Sequence, residues 1–186
     1  MSKRELIINA ALKLFVENGF HGTATSKIAQ EAGVATGTLF QYFKSKDELV
    51  IAIYLQFKEE MFEFVSNQTD NKTDIKEIIK SNILSSLYWA LDNPTKFHFI
   101  QQFHTSPYLG QVEKEVLNRH LEPHLILIQK GIQAGVLKSM PADLIYSLIS
   151  NQVFGVYQYI TSKTLSKSKK QEIIVATFDL LWQMLT

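Results

Sequence analysis

The sequence of 186 residues contains no cysteine. Disulfide bonds and thiolate metal sites are therefore excluded, and the absence fits the reducing cytoplasm. No apolar run approaches the roughly 18 residues of a membrane-spanning helix. The basic start is not followed by a signal-like segment either, because Asn9, Lys13 and Glu17 interrupt the apolar residues there. We therefore expect a soluble, cytoplasmic protein with no membrane partner.

The chain also lacks the common catalytic motifs. It has no G-x-x-x-x-G-K-[ST] phosphate loop, no G-x-S-x-G nucleophile elbow and no repeated Glu-x-x-His motif of a di-iron bundle. His120 and His124 are four residues apart, but Pro123 disturbs their geometry and no carboxylate or cysteine completes a metal site. We expect no enzymatic activity, no cofactor and no metal.

Strand-like alternation, internal repeats and low-complexity tracts are missing too, and the formal net charge is only +1. What the chain has is an apolar content of 46%, ample for a core, arranged at helical spacing. This pattern predicts an all-α protein of about nine helices. The predicted spans are approximately residues 3–18, 25–32, 36–43, 45–65, 74–91, 96–103, 106–134, 141–162 and 170–185.

Two serines mark helix starts. Ser2 with Glu5, and Ser45 with Glu48, have the spacing of a capping box, in which each side chain bonds the other residue's backbone N–H. Residues 67–73 are polar and predict a loop after the fourth helix.

Prolines mark other boundaries. Pro107 and Pro141 suit the beginning of a helix. Pro123, in contrast, lies inside the predicted helix 106–134 and predicts a kink or break, because its ring clashes with the preceding turn.

Residues 25–46 read as two short helices joined by a tight turn. Thr25 is a suitable N-cap, and Gly33 suits a turn that requires positive φ. Leu39 and Phe43 would form the buried side of the second helix. The outward side would then carry small hydroxyls, an amide and a phenol, which can reach base edges and phosphates in a DNA major groove. These outward residues are Thr36, Gly37, Thr38, Gln41 and Tyr42.

From Gly33 to Leu49 the sequence follows the pattern G-V-x-x-G-T-L-F-x-Y-F-x-S-K-x-E-L. This pattern resembles the helix-turn-helix of TetR-family transcriptional repressors, and the similarity covers about residues 3–53. One position departs from it: the family commonly has Tyr where this chain has Phe40. The phenol-to-phosphate hydrogen bond of the family is therefore not expected at that position.

The resemblance implies a DNA-binding domain at residues 1–48 and an effector-binding and dimerisation domain at residues 49–186. The fourth helix would link them. Lys46 would meet a phosphate, because free N–H groups and the helix dipole attract anions to a helix start. The DNA contacts implied by the motif are Thr25, Ser26, Lys27, Thr36, Gly37, Thr38, Gln41, Tyr42 and Lys46.

Aromatic residues recur through the second predicted domain, where they could be plain core or the wall of a pocket. The resemblance implies an effector site there. Because no charged residue stands out among them, we expect a small hydrophobic or aromatic effector that is neutral or weakly charged. The candidate effector-binding residues are Phe57, Met61, Tyr88, Trp89, Phe103, His104, Asn151, Phe154 and Gln158.

The eighth predicted helix is apolar almost all round, which indicates burial on every side. The last two helices could both be core. They could also contact a partner chain, and the family resemblance implies a homodimer formed through them. The candidate dimerisation residues are Leu148, Gln152, Val153, Gly155, Val156, Phe178, Leu181 and Trp182.

These observations favour a ligand-responsive transcriptional repressor. A dimer would bind a near-palindromic double-stranded operator and be released by the effector. The alternative is an activator, or a regulator of the same fold controlled by a partner protein. A helical ligand-binding protein without a DNA function is a third interpretation.

Overall fold

The computed structural model describes residues 1–69 and 72–186, and in them the chain forms nine α-helices and one 3-10 helix. The predicted all-α class is confirmed. In chain order the elements are α1 (Lys3–Asn18), α2 (Thr25–Glu31), α3 (Thr36–Tyr42), α4 (Lys46–Thr69), α5 (Ile75–Asp92), α6 (Pro94–His104), the 3-10 helix (Pro107–Gln111), α7 (Lys114–Gln133), α8 (Ala142–Thr161) and α9 (Lys167–Leu185).

The first of two compact units comprises Met1–Glu60 and Asn93–Glu113. In it α1, α2 and α3 pack on one another, and α6 packs on α1. Buried aromatic rings hold these helices together: the Phe20 ring lies 5.4 Å from Phe15 of α1 and 5.3 Å from Phe99 of α6, in edge-to-face contacts. Helix α6, which is distant from α1, α2 and α3 in the sequence, thus completes the core that these three helices form.

The second compact unit comprises Met61–Asp92 and Lys114–Thr186. Here α5 packs on α8 and α9, and α8 also packs on α7 and α9. Its core includes Ile79, Ile145 and the fully buried Phe178. The end of α9 is held by Lys138, whose backbone N–H donates to the Leu185 carbonyl and whose ammonium donates to the Met184 carbonyl, both at 2.8 Å. The boundary predicted between residues 48 and 49 lies inside α4, a helix that contributes residues to both units.

The predicted cap of α1 is confirmed. The Glu5 N–H donates to Ser2 Oγ at 3.2 Å, and the Ser2 N–H donates to Glu5 Oε2 at 2.7 Å. The second capping box is only half correct: Ser45 Oγ accepts from the Glu48 N–H at 3.1 Å, but the Glu48 carboxylate accepts from Lys44 and not from Ser45.

The single helix predicted over 106–134 is wrong. Pro107 does begin a helical segment, but this is the short 3-10 helix, and α7 begins only at Lys114. A kink or break was predicted at Pro123, and the break does not occur, since α7 runs through this residue. Pro123 is exposed, so water can satisfy the backbone carbonyl that the missing N–H leaves free.

Two further boundaries differ from prediction by three residues or more. Helix α9 begins three residues early, at Lys167, because Ser166 caps it by accepting the Lys169 N–H at 3.2 Å. Helix α4 continues to Thr69, into the predicted loop 67–73. Residues 70 and 71 of that loop lie outside the described residues.

Candidate nucleic-acid interface

The turn between α2 and α3 follows the predicted pattern. Gly33 has φ +66°, a left-handed conformation in which other residues are strained. Just beyond it, the Val34 N–H donates to the Ala29 carbonyl at 3.0 Å. The prediction that Thr25 caps α2 is wrong: Ala24 is the N-cap, and Thr25 is the first helical residue. The Thr25 hydroxyl is therefore not used by a cap.

Helix α3 has one buried and one exposed side. Leu39 and Phe43 are buried, as predicted. The outward residues Thr36, Gly37, Gln41 and Tyr42 are exposed, and Thr38 is half-buried. Their DNA contacts stay a prediction, but the side chains have the exposure that major-groove contact requires.

Phe40 also lies on the outside of α3, with 42% of its surface exposed, close to the 44% of Tyr42. The ring at this position therefore does not belong to the core. On α2, Ser26 and Lys27 are exposed and Thr25 is half-buried.

Thr23 holds the loop before α2 and was missed by sequence reasoning. Its hydroxyl is buried and lies 3.1 Å from the Leu14 carbonyl and 2.9 Å from the Gly19 carbonyl, either of which can accept its proton. One threonine in a short polar loop gives no signal of this role. The hydroxyl fixes the path of the chain into α2.

Lys46 bridges the start of α4 to the same loop. Its ammonium donates to the Phe20 carbonyl at 2.9 Å and to the Thr23 carbonyl at 3.3 Å. The ammonium has a third N–H, which can make the predicted phosphate contact. Lys46 therefore has a structural function beside any function in DNA binding.

Two further contacts support the N-terminal helices. The Arg4 guanidinium lies 5.5 Å from the centre of the Phe43 ring, a cation–π contact between α1 and the end of α3. Lys13 of α1 and Glu31 of α2 form an exposed ion pair at 2.6 Å, whose hydrogen bond raises the pKa of Lys13 and lowers that of Glu31.

The effector candidates of the first unit are Phe57, Phe103 and His104. Both phenylalanines are buried, and the Phe103 ring stacks on Tyr54 with centroids 3.8 Å apart. The Tyr54 hydroxyl lies 3.5 Å from His104 Nε2. Burial, with a contribution from the charge of nearby Lys58, lowers the pKa of His104 to about 4.

The second unit contains the other effector candidates. Trp89 is buried, whereas Met61, Tyr88 and Phe154 are half-buried. Asn151 and Gln158 are exposed in the single chain, and the Asn151 amide donates to the Ser147 carbonyl of its own helix at 2.8 Å. The effector-binding assignment stays a prediction.

Half of the dimerisation candidates lie in the core of the chain itself. Val153, Val156, Phe178 and Leu181 are buried there, and Lys80 covers the Phe178 ring at 5.6 Å. Three others are half-buried and one, Gly155, is exposed. The half-buried three are Leu148, Gln152 and Trp182.

The exposed side of α8 and α9 carries apolar residues that the prediction omitted. Tyr159 on α8 and Val175, Leu180 and Met184 on α9 are among the exposed large hydrophobic residues. Tyr159 also lines a groove of about 370 Å³. Its lining residues are Gly155, Val156, Tyr159, Ile173, Ala176 and Thr177.

Within residues 1–69 and 72–186 no group of three or more His, Asp or Glu side chains is placed to hold a metal ion. The rings of His120 and His124 instead contact Phe62 and Tyr146, at 5.3 and 5.6 Å. No helix in this part of the chain is both long enough and apolar enough to span a membrane.

Three packed helices that present the second helix of a helix-turn-helix with an exposed, hydroxyl- and amide-bearing side define a DNA-binding regulator. The chain belongs to the TetR family. Residues 7–53 match the model of bacterial regulatory proteins of the tetR family, and residues 50–185 match the tetracyclin repressor-like C-terminal domain. Its relatives are transcriptional regulators, and the family is not enzymatic.

Similar proteins cover nearly the whole chain. The fatty acid metabolism regulator protein of Bacillus subtilis (strain 168) is 28% identical over 183 residues, which are 94% of this chain and 90% of that protein. A crystal structure from Shewanella sp. PV-4, assigned to the tetR family of transcription regulators, is 32% identical with a TM-score of 0.89, over 100% of this chain and 98% of that one. The fatty acid degradation regulator FadR of Bacillus halodurans has the same fold, at 23% identity and a TM-score of 0.72, over 99% of this chain and 94% of that one.

Proposed function

We propose that the protein is a cytoplasmic repressor that binds a near-palindromic operator as a homodimer and is released by a small, mainly apolar effector. The observation that carries this proposal is the exposed side of α3. Gln41 and Tyr42 are exposed there, while Leu39 on the opposite side is fully buried. The helix is thus held by its apolar side and offers polar groups to base edges.

The homodimer is supported by the exposed apolar side of α8 and α9. A monomeric soluble protein seldom keeps several large apolar residues exposed beside a groove, and such patches mark interaction sites. Leu180, with 66% of its surface exposed, lies on this side. A twofold dimer would place two α3 helices in successive major grooves, about one helical turn apart.

The apolar effector is supported by the family and by its named relatives. TetR regulators bind DNA and effectors, and two of the similar proteins are named as regulators of fatty acid metabolism or degradation. Effector and operator would be linked by a free-energy difference between two conformations. An effector that prefers the free repressor must lower operator affinity by the same factor.

Fluorescence anisotropy with DNA from upstream of the protein's own gene tests operator binding. We expect binding that is sequence-specific and weakens as salt rises. Gln41→Ala should cost about 1–3 kcal/mol at the base that it reads and should relax sequence preference. The matched control is Gln133→Ala, an exposed glutamine at the end of α7, which should change nothing.

Binding without any sequence preference would instead support the helical ligand-binding interpretation. If Gln41→Ala weakens binding equally to unrelated DNA sequences, Gln41 does not read a base. A reporter gene placed behind the bound DNA then distinguishes a repressor from an activator, since only a repressor lowers expression.

A further inference from the structure

Three polar side chains are clustered in the first compact unit. Tyr54 and Lys58 are one turn apart on α4, so they lie on the same side of that helix. His104 is the last residue of α6, and its Nε2 lies 3.5 Å from the Tyr54 hydroxyl. The three groups form one site within a single unit, beside the stacked ring of Phe103.

Lys58 has no charge partner in this cluster. In the described part of the chain no carboxylate lies within ion-pair distance of its ammonium. Part of the side chain remains accessible, yet the protein surrounds the ammonium closely enough that burial lowers the pKa of Lys58. A desolvated charge without a partner is costly, so a natural protein rarely keeps one without a use.

Lys96, in the same unit, shows the usual alternative. Its ammonium pairs with the Glu60 carboxylate and also lies 5.2 Å from the centre of the Phe57 ring. Among the described residues, Lys96 thus has a carboxylate partner and Lys58 has none. Lys58 is the lysine close enough to His104, an effector candidate, for its charge to lower the pKa of that imidazole.

The neighbours of Lys58 suit an anion. Because its pKa is about 4, His104 is neutral at neutral pH and can donate one N–H without repelling Lys58. The hydrogen bond between the Tyr54 hydroxyl and His104 Nε2 uses one proton of this pair, so the pair offers at most one neutral donor to an anion. An ammonium beside such a donor binds oxyanions through charge-assisted hydrogen bonds.

We propose that the effector carries an anionic oxygen head, a carboxylate or a phosphate ester, which the Lys58 ammonium binds beside His104 and Tyr54. The proposal rests on the effector-responsive function proposed above and defines its ligand class. The buried rings of Phe57 and Phe103 suit an apolar body behind that head. A neutral effector, as expected from the sequence, would leave Lys58 uncompensated.

The test uses three probes that share an eight-carbon chain: octanoate, octyl phosphate and octan-1-ol. Calorimetric titration of the full-length protein should show both anions binding about tenfold or more tightly than the alcohol. The order of the two anions distinguishes a carboxylate from a phosphate ligand. Lys58→Met should abolish the preference, and Lys58→Arg should retain it, because the charge is kept.

Lys96→Met is the matched control, since it removes a lysine of the same unit that already has a carboxylate partner. It should leave the preference for anions intact. A second readout needs no variant: the His104 ring signals in NMR should titrate at higher pH when octanoate is bound, because an added negative charge favours the imidazolium.

Equal binding of the alcohol and the anions would overturn the proposal, as would a preference that survives Lys58→Met or an absence of binding by every probe. Operator affinity of the ligand-free protein is measured in the same samples. If operator binding is sequence-specific while the anions have no advantage, the ligand class fails and the repressor function stands. If operator binding is absent, the proposed function itself fails.

Discussion

The two compact units differ in where they leave large apolar side chains exposed. In the first unit such residues are Met1 at the chain start and Phe40 and Tyr42, which stand among the hydroxyls and the amide of α3. In the second unit five of the six belong to α8 and α9. These five are Leu144, Tyr159, Val175, Leu180 and Met184.

Exposure therefore means different things in the two units. Isolated rings among polar groups suit a wet surface such as a nucleic acid groove, where contacts are mostly polar. Apolar residues beside a groove suit a second protein surface, where apolar area is removed from water. Substitutions that act on one surface and leave the other intact test whether the two surfaces bind different partners.

The largest effect is expected where α8 is already buried within its own chain. Val153 is only 7% exposed, so Val153→Glu places an unpaired carboxylate in the core of the second unit. We expect a loss of about 3–5 kcal/mol in the free energy of unfolding. Urea denaturation followed by circular dichroism measures it. A stable, folded Val153→Glu protein would show that this position does not belong to the core.

Leu180→Glu changes the exposed side of α9. The monomer should remain folded, because Leu180 is 66% exposed, but a twofold dimer would contain the unpaired charge twice. We expect each copy to cost about 2–5 kcal/mol of association free energy and operator binding to weaken with it. Sedimentation velocity gives the oligomeric state.

Ile126→Glu serves as the control for Leu180→Glu, because Ile126 is an exposed hydrophobic residue of α7, outside the α8 and α9 surface. It should leave the dimer intact. Dissociation by Ile126→Glu and not by Leu180→Glu would move the interface to another side of the second unit.

Lys46→Met changes the first unit at the start of α4. It removes two hydrogen bonds from a charged donor to the carbonyls of Phe20 and Thr23, each worth about 1.5–3 kcal/mol at most. We expect lower stability and, if the third N–H meets a phosphate, a decrease of about 1 in the slope of operator affinity against salt. An unchanged salt slope with reduced stability would assign Lys46 to the fold alone.

The smallest effect is expected for Phe40→Tyr. Because the ring is exposed, the added hydroxyl meets water in the free protein and should leave its stability unchanged. In the complex it can donate to a phosphate, and we expect operator binding to tighten by about 1.5 kcal/mol or less. Weaker operator binding by Phe40→Tyr would mean that the DNA surface facing this position is apolar.

The sequence predicted α2, the turn and α3 well, because local signals agreed there. Gly33 provides the positive φ that the turn uses, and Leu39 and Phe43 mark the buried side of α3. The division of the helix predicted over 106–134 was missed, since Pro107 is as compatible with a 3-10 turn as with an α-helix.

Lys58 was missed for a different reason. It stands in α4 between Phe57 and Glu59, where a lysine usually belongs to a solvated side. Only the packing of α6 beside α4 shows that its ammonium is desolvated. The dimerisation residues show the same limit: an apolar pattern marks α8 and α9, but the side each residue faces depends on the folded unit.

The discontinuity of the first unit has a consequence for protein synthesis. Phe20 contacts Phe99 at 5.3 Å and Tyr108 at 5.4 Å, so the core of the DNA-reading helices contains rings made long after those helices. On the ribosome, residues 1–60 emerge first. Phe15 and Phe20 then lack the ring contacts that the later α6 and 3-10 helix supply. The recognition helix therefore acquires its final support only when the chain has been translated past residue 108, after all of the second unit's α5 has been made.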